Sequence, residues 1–93
     1  MDIEIIPCLN DNYSYLIKDN QTNTVAIIDP SEFGPCDKRI NQKYKKLDFI
    51  LNTHHHFDHN GGNAELKRKY GSKILGFEKD EKRIPEIDIL LKD

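Results

Sequence analysis

The sequence predicts an α/β (α+β) protein, a single sheet with helices packed on one outer face. Three observations lead there. The first third is rich in β-favouring residues, the second half alternates short apolar runs with amphipathic ones, and all four histidines stand directly behind one of the apolar runs.

Ile3-Glu4-Ile5-Ile6 runs into Pro7, and Tyr13 to Lys18 is dominated by aromatic and β-branched side chains, so both read as strands. Asp19 to Asn23 is polar and supplies a turn. Thr24-Val25-Ala26-Ile27-Ile28 is continuously apolar up to Asp29-Pro30, the pattern of a strand buried on both faces. Three strands joined this closely form a meander.

Between Asp37 and Leu47 the apolar positions Ile40, Tyr44 and Leu47 follow helical spacing, while Lys38, Arg39, Lys43, Lys45 and Lys46 cover the remainder. Those cations read as a solvated helix face and receive no function. Asp48 to Thr53 is a further apolar strand. After the histidines, Gly61-Gly62 opens a helix from Asn63 to Tyr70 with Leu66 and Tyr70 on one side and Gly71 as its stop. Lys73 to Phe77 is a short strand, and Ile84 to Asp93 alternates weakly, with Pro85 at its entry, as an extended segment. There are no repeats and no low-complexity tracts.

With 93 residues the chain is one domain at most, and a short one buries a smaller share of its surface than a mid-sized one. Hydrophobic residues at 37%, charged residues at 32% and a formal net charge of -2 suit a globular protein with a solvated surface. Such a charge argues against nucleic acid or an acidic membrane as partner, because both need a concentrated basic field. No run reaches membrane-spanning length and no leader precedes the first strand, so the expected location is cytoplasmic. Cys8 and Cys36 stand far apart, outside any CxxC pair, and are expected to stay reduced.

The chemistry concentrates in His54-His55-His56-Phe57-Asp58-His59. In extended backbone His54 and His56 project to one side and can reach one metal ion, while His55 points away and is read as structural. Asp58 and His59 follow where the chain turns and can face a second ion. Imidazole plus carboxylate suits zinc, with iron or manganese as alternatives. Two ions about 3.5–4 Å apart share a water and bring its pKa near 7, which yields a nucleophile for esters, thioesters, amides or phosphodiesters. Asp58 would hold one ion and orient the hydroxide. The glycine pair lets the backbone bend sharply and pack closely where the loop enters the helix. Two plainer readings stand beside this one: an exposed polyhistidine loop, and a lone structural zinc.

Thr53-His54-His55-His56-Phe57-Asp58-His59-Asn60-Gly61-Gly62 resembles the signature of the metallo-β-lactamase superfamily. The segments Ile6 to Ile17 and Ala26-Ile27-Ile28-Asp29-Pro30 are similar to the amino terminus of its glyoxalase II (hydroxyacylglutathione hydrolase) family; Ser31 to Lys46 is the least similar stretch. The resemblance implies an αββα sandwich of which residues 1–93 form the amino-terminal, incomplete portion, holding only the first sheet and its helices. It implies hydrolysis of S-D-lactoylglutathione to D-lactate and glutathione. It also implies that His54 and His56 bind the first of two zinc ions and Asp58 and His59 the second. The family completes both shells with a histidine, a bridging aspartate and a last histidine further downstream, and this sequence has no histidine beyond His59. The expectation is a chain that binds metal weakly and turns over little by itself. Its substrate-binding residues are not identifiable.

Two other classes remain open on the sequence. One is a different enzyme of the superfamily, such as a persulfide dioxygenase using one iron, a lactonase or a nuclease. The other is a non-enzymatic metal-binding or interaction module that self-associates through the uncovered sheet face.

Overall fold

A computed structural model of the chain describes residues 1–8, 12–52, 62–77 and 89–91. Among the described residues, six strands and two helices occur in the order β1 (Asp2–Cys8), β2 (Asn12–Asp19), β3 (Thr24–Ile28), α1 (Phe33–Lys43), β4 (Phe49–Leu51), α2 (Asn63–Tyr70), β5 (Lys73–Phe77) and β6 (Ile89–Leu91). They build one sheet in which spatial order equals chain order. The first three strands are antiparallel, and β3, β4, β5 and β6 run parallel. The expected meander is present. Parallel neighbours need crossovers, which α1 and α2 supply, and successive right-handed crossovers advancing in one direction leave both helices on the same face.

That face is the core. Ile6, Leu16, Val25, Ile27, Ile50 and Ile74 meet Cys36 and Ile40 of α1 and Leu66 of α2, with Leu47 closing one end and every one of them buried. Pro7 sits inside β1 opposite Tyr13, so the strand continues past the point where the sequence suggested it would stop. This is tolerated because β1 lies at the sheet edge, where a missing N–H breaks no ladder on the outer side.

Helix α1 begins at Phe33, four residues before the expected start at Asp37, and ends at Lys43, short of Leu47. Pro35 falls in the first turn, where its absent N–H would have had no intrahelical partner anyway. The stop comes from Lys45, whose φ of 58° is left-handed, with the Tyr44 and Lys45 N–H groups both donating to the Ile40 carbonyl at 2.8 Å. The cations expected along this helix are largely paired: Arg39 and Lys43 each lie 3.0 Å from Glu4, and Lys46 lies 3.1 Å from Asp48. Helix α2 keeps its expected bounds, and Gly71 at φ 69° ends it as anticipated. Its last turn is tied to α1 through Asp37, which accepts from Lys69 Nζ at 2.6 Å and Tyr70 Oη at 2.5 Å.

The opposite face has no covering layer among the described residues. Strand register places Ile3, Ile5, Tyr13, Tyr15, Ile17, Ala26, Ile28, Phe49, Leu51 and Leu75 together there. Ile3, Ile5 and Tyr13 are more than half exposed, at 64%, 57% and 54%. The expectation that β3 is buried on both faces is therefore corrected: Val25 and Ile27 are fully buried, while Thr24, Ala26 and Ile28 are only half-buried. Its apolar alternate positions belong to a surface that needs a second layer, as expected for half of a layered fold. From Ile84 to Asp93, only Ile89–Leu91 is described, as a parallel strand beside β5; Pro85 lies outside the described residues.

Candidate metal centre

His54, His55, His56, Asp58 and His59 fall in residues 53–61, outside the described residues, as does Gly61. What the structure gives is the frame that carries this segment. It leaves the carboxyl end of β4, a central strand, at Asn52 and re-enters at Gly62, the residue that caps α2. Ligand sites in α/β sheets favour that end of the strands.

The exit is held from both sides. The Asp29 N–H donates to the Leu51 carbonyl at 2.9 Å, and the Asn52 N–H donates to the Leu75 carbonyl at 2.9 Å, which extends both parallel ladders to the last described residue. The side chain of Asn52 then donates through Nδ2 to Asn63 Oδ1 at 3.2 Å, and Asn63 Nδ2 donates back to Asn52 Oδ1. Both amides are buried, so each needs this partner to offset its lost hydration.

The entry is held by Gly62. Its N–H donates to the Pro30 carbonyl at 2.8 Å. A Cβ at Gly62 would stand 3.1 Å from Phe33 N, 3.1 Å from Pro30 O and 3.2 Å from Glu32 C, all backbone atoms. The expected close packing of the glycine pair is thus found at Gly62. Its partner, the turn after β3, is fixed by Asp29 at φ 51° and by Ser14, whose hydroxyl donates to the Asp29 carbonyl at 2.8 Å and accepts from the Ser31 N–H at 3.4 Å.

Among the described residues no three of His, Cys, Asp and Glu stand together as a metal-binding group. Cys8 and Cys36 are buried free thiols whose sulfurs lie 3.7 Å apart, beside the Ser14 hydroxyl. Burial pushes the Cys36 thiol up to about 12, with the Cys8 neighbour adding to the rise against hydrogen bonds that lower it. A thiol so protonated is a poor ligand and a poor nucleophile at neutral pH. An open groove of about 510 Å³ lies between Thr24, Asp48, Tyr70 and Lys73, at the amino ends of β3, β4 and β5. It is at the wrong end of the sheet to serve residues 53–61. The donor set therefore rests on the side chains that the sequence places in that segment, and imidazole with carboxylate fits a divalent cation.

Asn52 and Asn63 had no assigned role in the sequence. A signal was present: an asparagine at the end of an apolar strand, two positions before His54, and another opening the following helix, four positions after His59, bracket the histidines.

The sequence model described as Metallo-beta-lactamase superfamily matches residues 9–87. The chain is 57% identical over its full length to the hydroxyacylglutathione hydrolase of Pelagibacter ubique (strain HTCC1062), of which it covers 39%. It is 43% identical, again over all 93 residues, to that of Methylococcus capsulatus (strain Bath), covering 36%. Among solved structures, BJP-1, a subclass B3 metallo-beta-lactamase of Bradyrhizobium japonicum, superposes with a TM-score of 0.74 at 25% identity, over 96% of this chain and 40% of that one. The protein titled ETHE1 from Myxococcus xanthus superposes with a TM-score of 0.67 at 25% identity, over 84% of this chain and 36% of that one. The chain thus spans under two fifths of the length of these curated relatives and matches their amino-terminal part.

Proposed function

From the premise that this chain belongs to the metallo-β-lactamase superfamily, we propose that it is the amino-terminal part of a hydroxyacylglutathione hydrolase domain, a metal-dependent thioesterase acting on S-D-lactoylglutathione. One observation carries the reading. The full-length match to hydroxyacylglutathione hydrolases coincides with a frame that delivers residues 53–61 to the carboxyl end of a central strand and clamps both ends of the segment. No helix among the described residues is long and apolar enough to cross a membrane. A cytoplasmic enzyme with a small-molecule substrate and no nucleic-acid partner accords with the net charge of -2.

On this reading His54 and His56 hold one divalent cation through ring nitrogens, and Asp58 and His59 hold a second. Zinc is the proposed metal, on the softness of the donor set, with iron or manganese as the alternatives. Such cations, when bound, acidify water and stabilise negative charge on a carbonyl oxygen. Asp58 contributes a carboxylate that orients the attacking water toward the thioester carbon. The acyl carbon to sulfur bond then breaks, the hydroxyacyl group leaves as a carboxylate, and glutathione leaves as its thiol. From this chain each cation draws two ligands, one fewer than the three usual for catalytic zinc. On this reading the remaining ligands and the glutathione-binding groups would come from outside this chain's residues.

The uncovered apolar face supports a second element of the reading. It is the surface on which the other sheet of an αββα sandwich packs, and in the 93-residue chain by itself it is a route to self-association.

The reading is tested by titrating the chain with zinc against a chromophoric chelator, beside a His54→Ala/His56→Ala variant. Zinc capture that the double variant loses supports it, and equal capture by both proteins sinks it. In the longer protein that contains the chain, the same substitutions should abolish thiol release from S-D-lactoylglutathione.

A further inference from the structure

We infer that Asn52 and Asn63 are positioning residues for the metal segment: their buried amide pair fixes the separation and relative direction of the two ends of residues 53–61. The inference rests on the metal reading above and goes beyond it, since neither asparagine is a proposed ligand.

At these positions a pair of apolar side chains would fill space without any need for hydrogen bonds, and two buried amides are tolerated only because each satisfies the other. Asn52 is fully buried and Asn63 is 4% exposed, and their carboxamides exchange two hydrogen bonds, Asn52 Nδ2 to Asn63 Oδ1 at 3.2 Å and Asn63 Nδ2 to Asn52 Oδ1. Apolar contacts are non-directional and permit sliding. A reciprocal amide pair does not, because both bonds keep their geometry only when the two amides are coplanar and face to face.

The pair also has a particular place in the chain. Asn52 follows the last residue of β4, and Asn63 is the first residue of α2, so the pair brackets residues 53–62, of which 53–61 carry the histidines. The β4 end is already held by the ladders to Asp29 and Leu75, and the α2 end by the Gly62 bond to Pro30. The amide pair joins these two anchored ends directly. Holding the two ends at a fixed separation reduces the entropy lost in bringing side chains between them to one cation.

The test uses the 93-residue chain with Asn52→Leu, Asn63→Leu and the double leucine variant. Each metal-free protein is followed by thermal melting, zinc affinity by chelator competition, and cobalt(II) substitution by its visible spectrum. Each single variant leaves one amide buried without a partner and should be destabilised; the double variant replaces both partners and should recover stability near the parent's. Positioning predicts that the double variant, though folded, binds zinc roughly ten- to a hundredfold more weakly than the parent and gives an altered cobalt spectrum. A purely structural role predicts that affinity and spectrum return together with stability, and that result would overturn the inference. Zinc capture by the parent that survives loss of His54 and His56 would overturn the metal reading and this inference with it. Parent capture that depends on those histidines, with unchanged affinity in a folded double variant, would overturn the inference alone.

Discussion

Gly62→Ala and Gly34→Ala are chemically the same change, one methyl group added to a glycine, and the structure assigns them different costs. At Gly62 the new Cβ would meet three backbone atoms at 3.1 to 3.2 Å, belonging to Pro30, Glu32 and Phe33. No flexible side chain is available to move aside. Either α2 or the turn before α1 must shift by a few tenths of an ångström, and that shift stretches the 2.8 Å bond from Gly62 N–H to the Pro30 carbonyl. Overpacking against unyielding atoms costs about 1–3 kcal/mol and weakening one buried hydrogen bond costs about 1 kcal/mol. The backbone at Gly62, φ −94° and ψ 0°, suits alanine, so the reduced freedom of the unfolded chain returns about 0.4–1 kcal/mol. The net expectation is a loss of roughly 1–3 kcal/mol, or a fall in Tm on the order of 5–15 °C for a domain this size. At Gly34, inside the first turn of α1, no described atom beyond its chain neighbours and the nearby helix backbone lies within 4 Å of the added Cβ. Alanine there reduces the freedom of the unfolded chain, worth about 0.5–1 kcal/mol, but its Cβ crowds the Pro35 ring, which disfavours a helical non-glycine residue ahead of proline, so the net change should be small, within about 1 kcal/mol. Urea denaturation of the metal-free chain followed by circular dichroism, with thermal melts as a check, measures both. A Gly62→Ala chain within about 0.5 kcal/mol of the parent, or above it, would refute the close approach and with it the clamped entry to residues 53–61.

Asp37 gives a pH prediction. Partial burial alone would raise its pKa, but hydrogen bonds from Lys69 and Tyr70 and the Lys69 charge together outweigh that and hold it below the usual carboxylate value. A carboxyl lowered in the folded state adds stability above its unfolded pKa, and that stability is lost as pH falls through the folded value. Asp37→Asn should therefore be less stable than the parent at neutral pH, by about 1–2 kcal/mol, with the gap narrowing in acid; a gap independent of pH would contradict the pairing. For the thiols, Cys36 at about 12 and the burial of both sulfurs predict that a disulfide reagent at pH 8 modifies neither cysteine in the native chain and both after unfolding in guanidinium. Fast native labelling would count against the packed interface of β1 with α1. Finally, Ile5→Lys and Tyr15→Lys place charges on the uncovered sheet face and should shift the chain toward monomer in sedimentation velocity. A parent that stays monomeric across the same concentrations removes self-association through that face.

The sequence by itself determined the elements whose signals are local. β3, α2 and β5 have the bounds that apolar runs, helical spacing and the Gly71 stop implied, because strand propensity, amphipathic periodicity and a left-handed cap act over a few neighbouring residues. It also singled out the segment proposed to hold metal, since four imidazoles and a carboxylate within six positions suggest their chemistry without reference to geometry. The tertiary structure decided the rest. Pro35 could be read as a breaker or as a first-turn residue, and only the docking of Cys36 and Ile40 onto the sheet selects the second. The half-burial of Ala26 and Ile28 depends on which layer lies above them, which no run of five residues records. Asn52 and Asn63 look like ordinary polar residues until β4 and α2 bring them together across eleven positions, because a hydrogen bond requires an approach in space that sequence spacing alone does not specify.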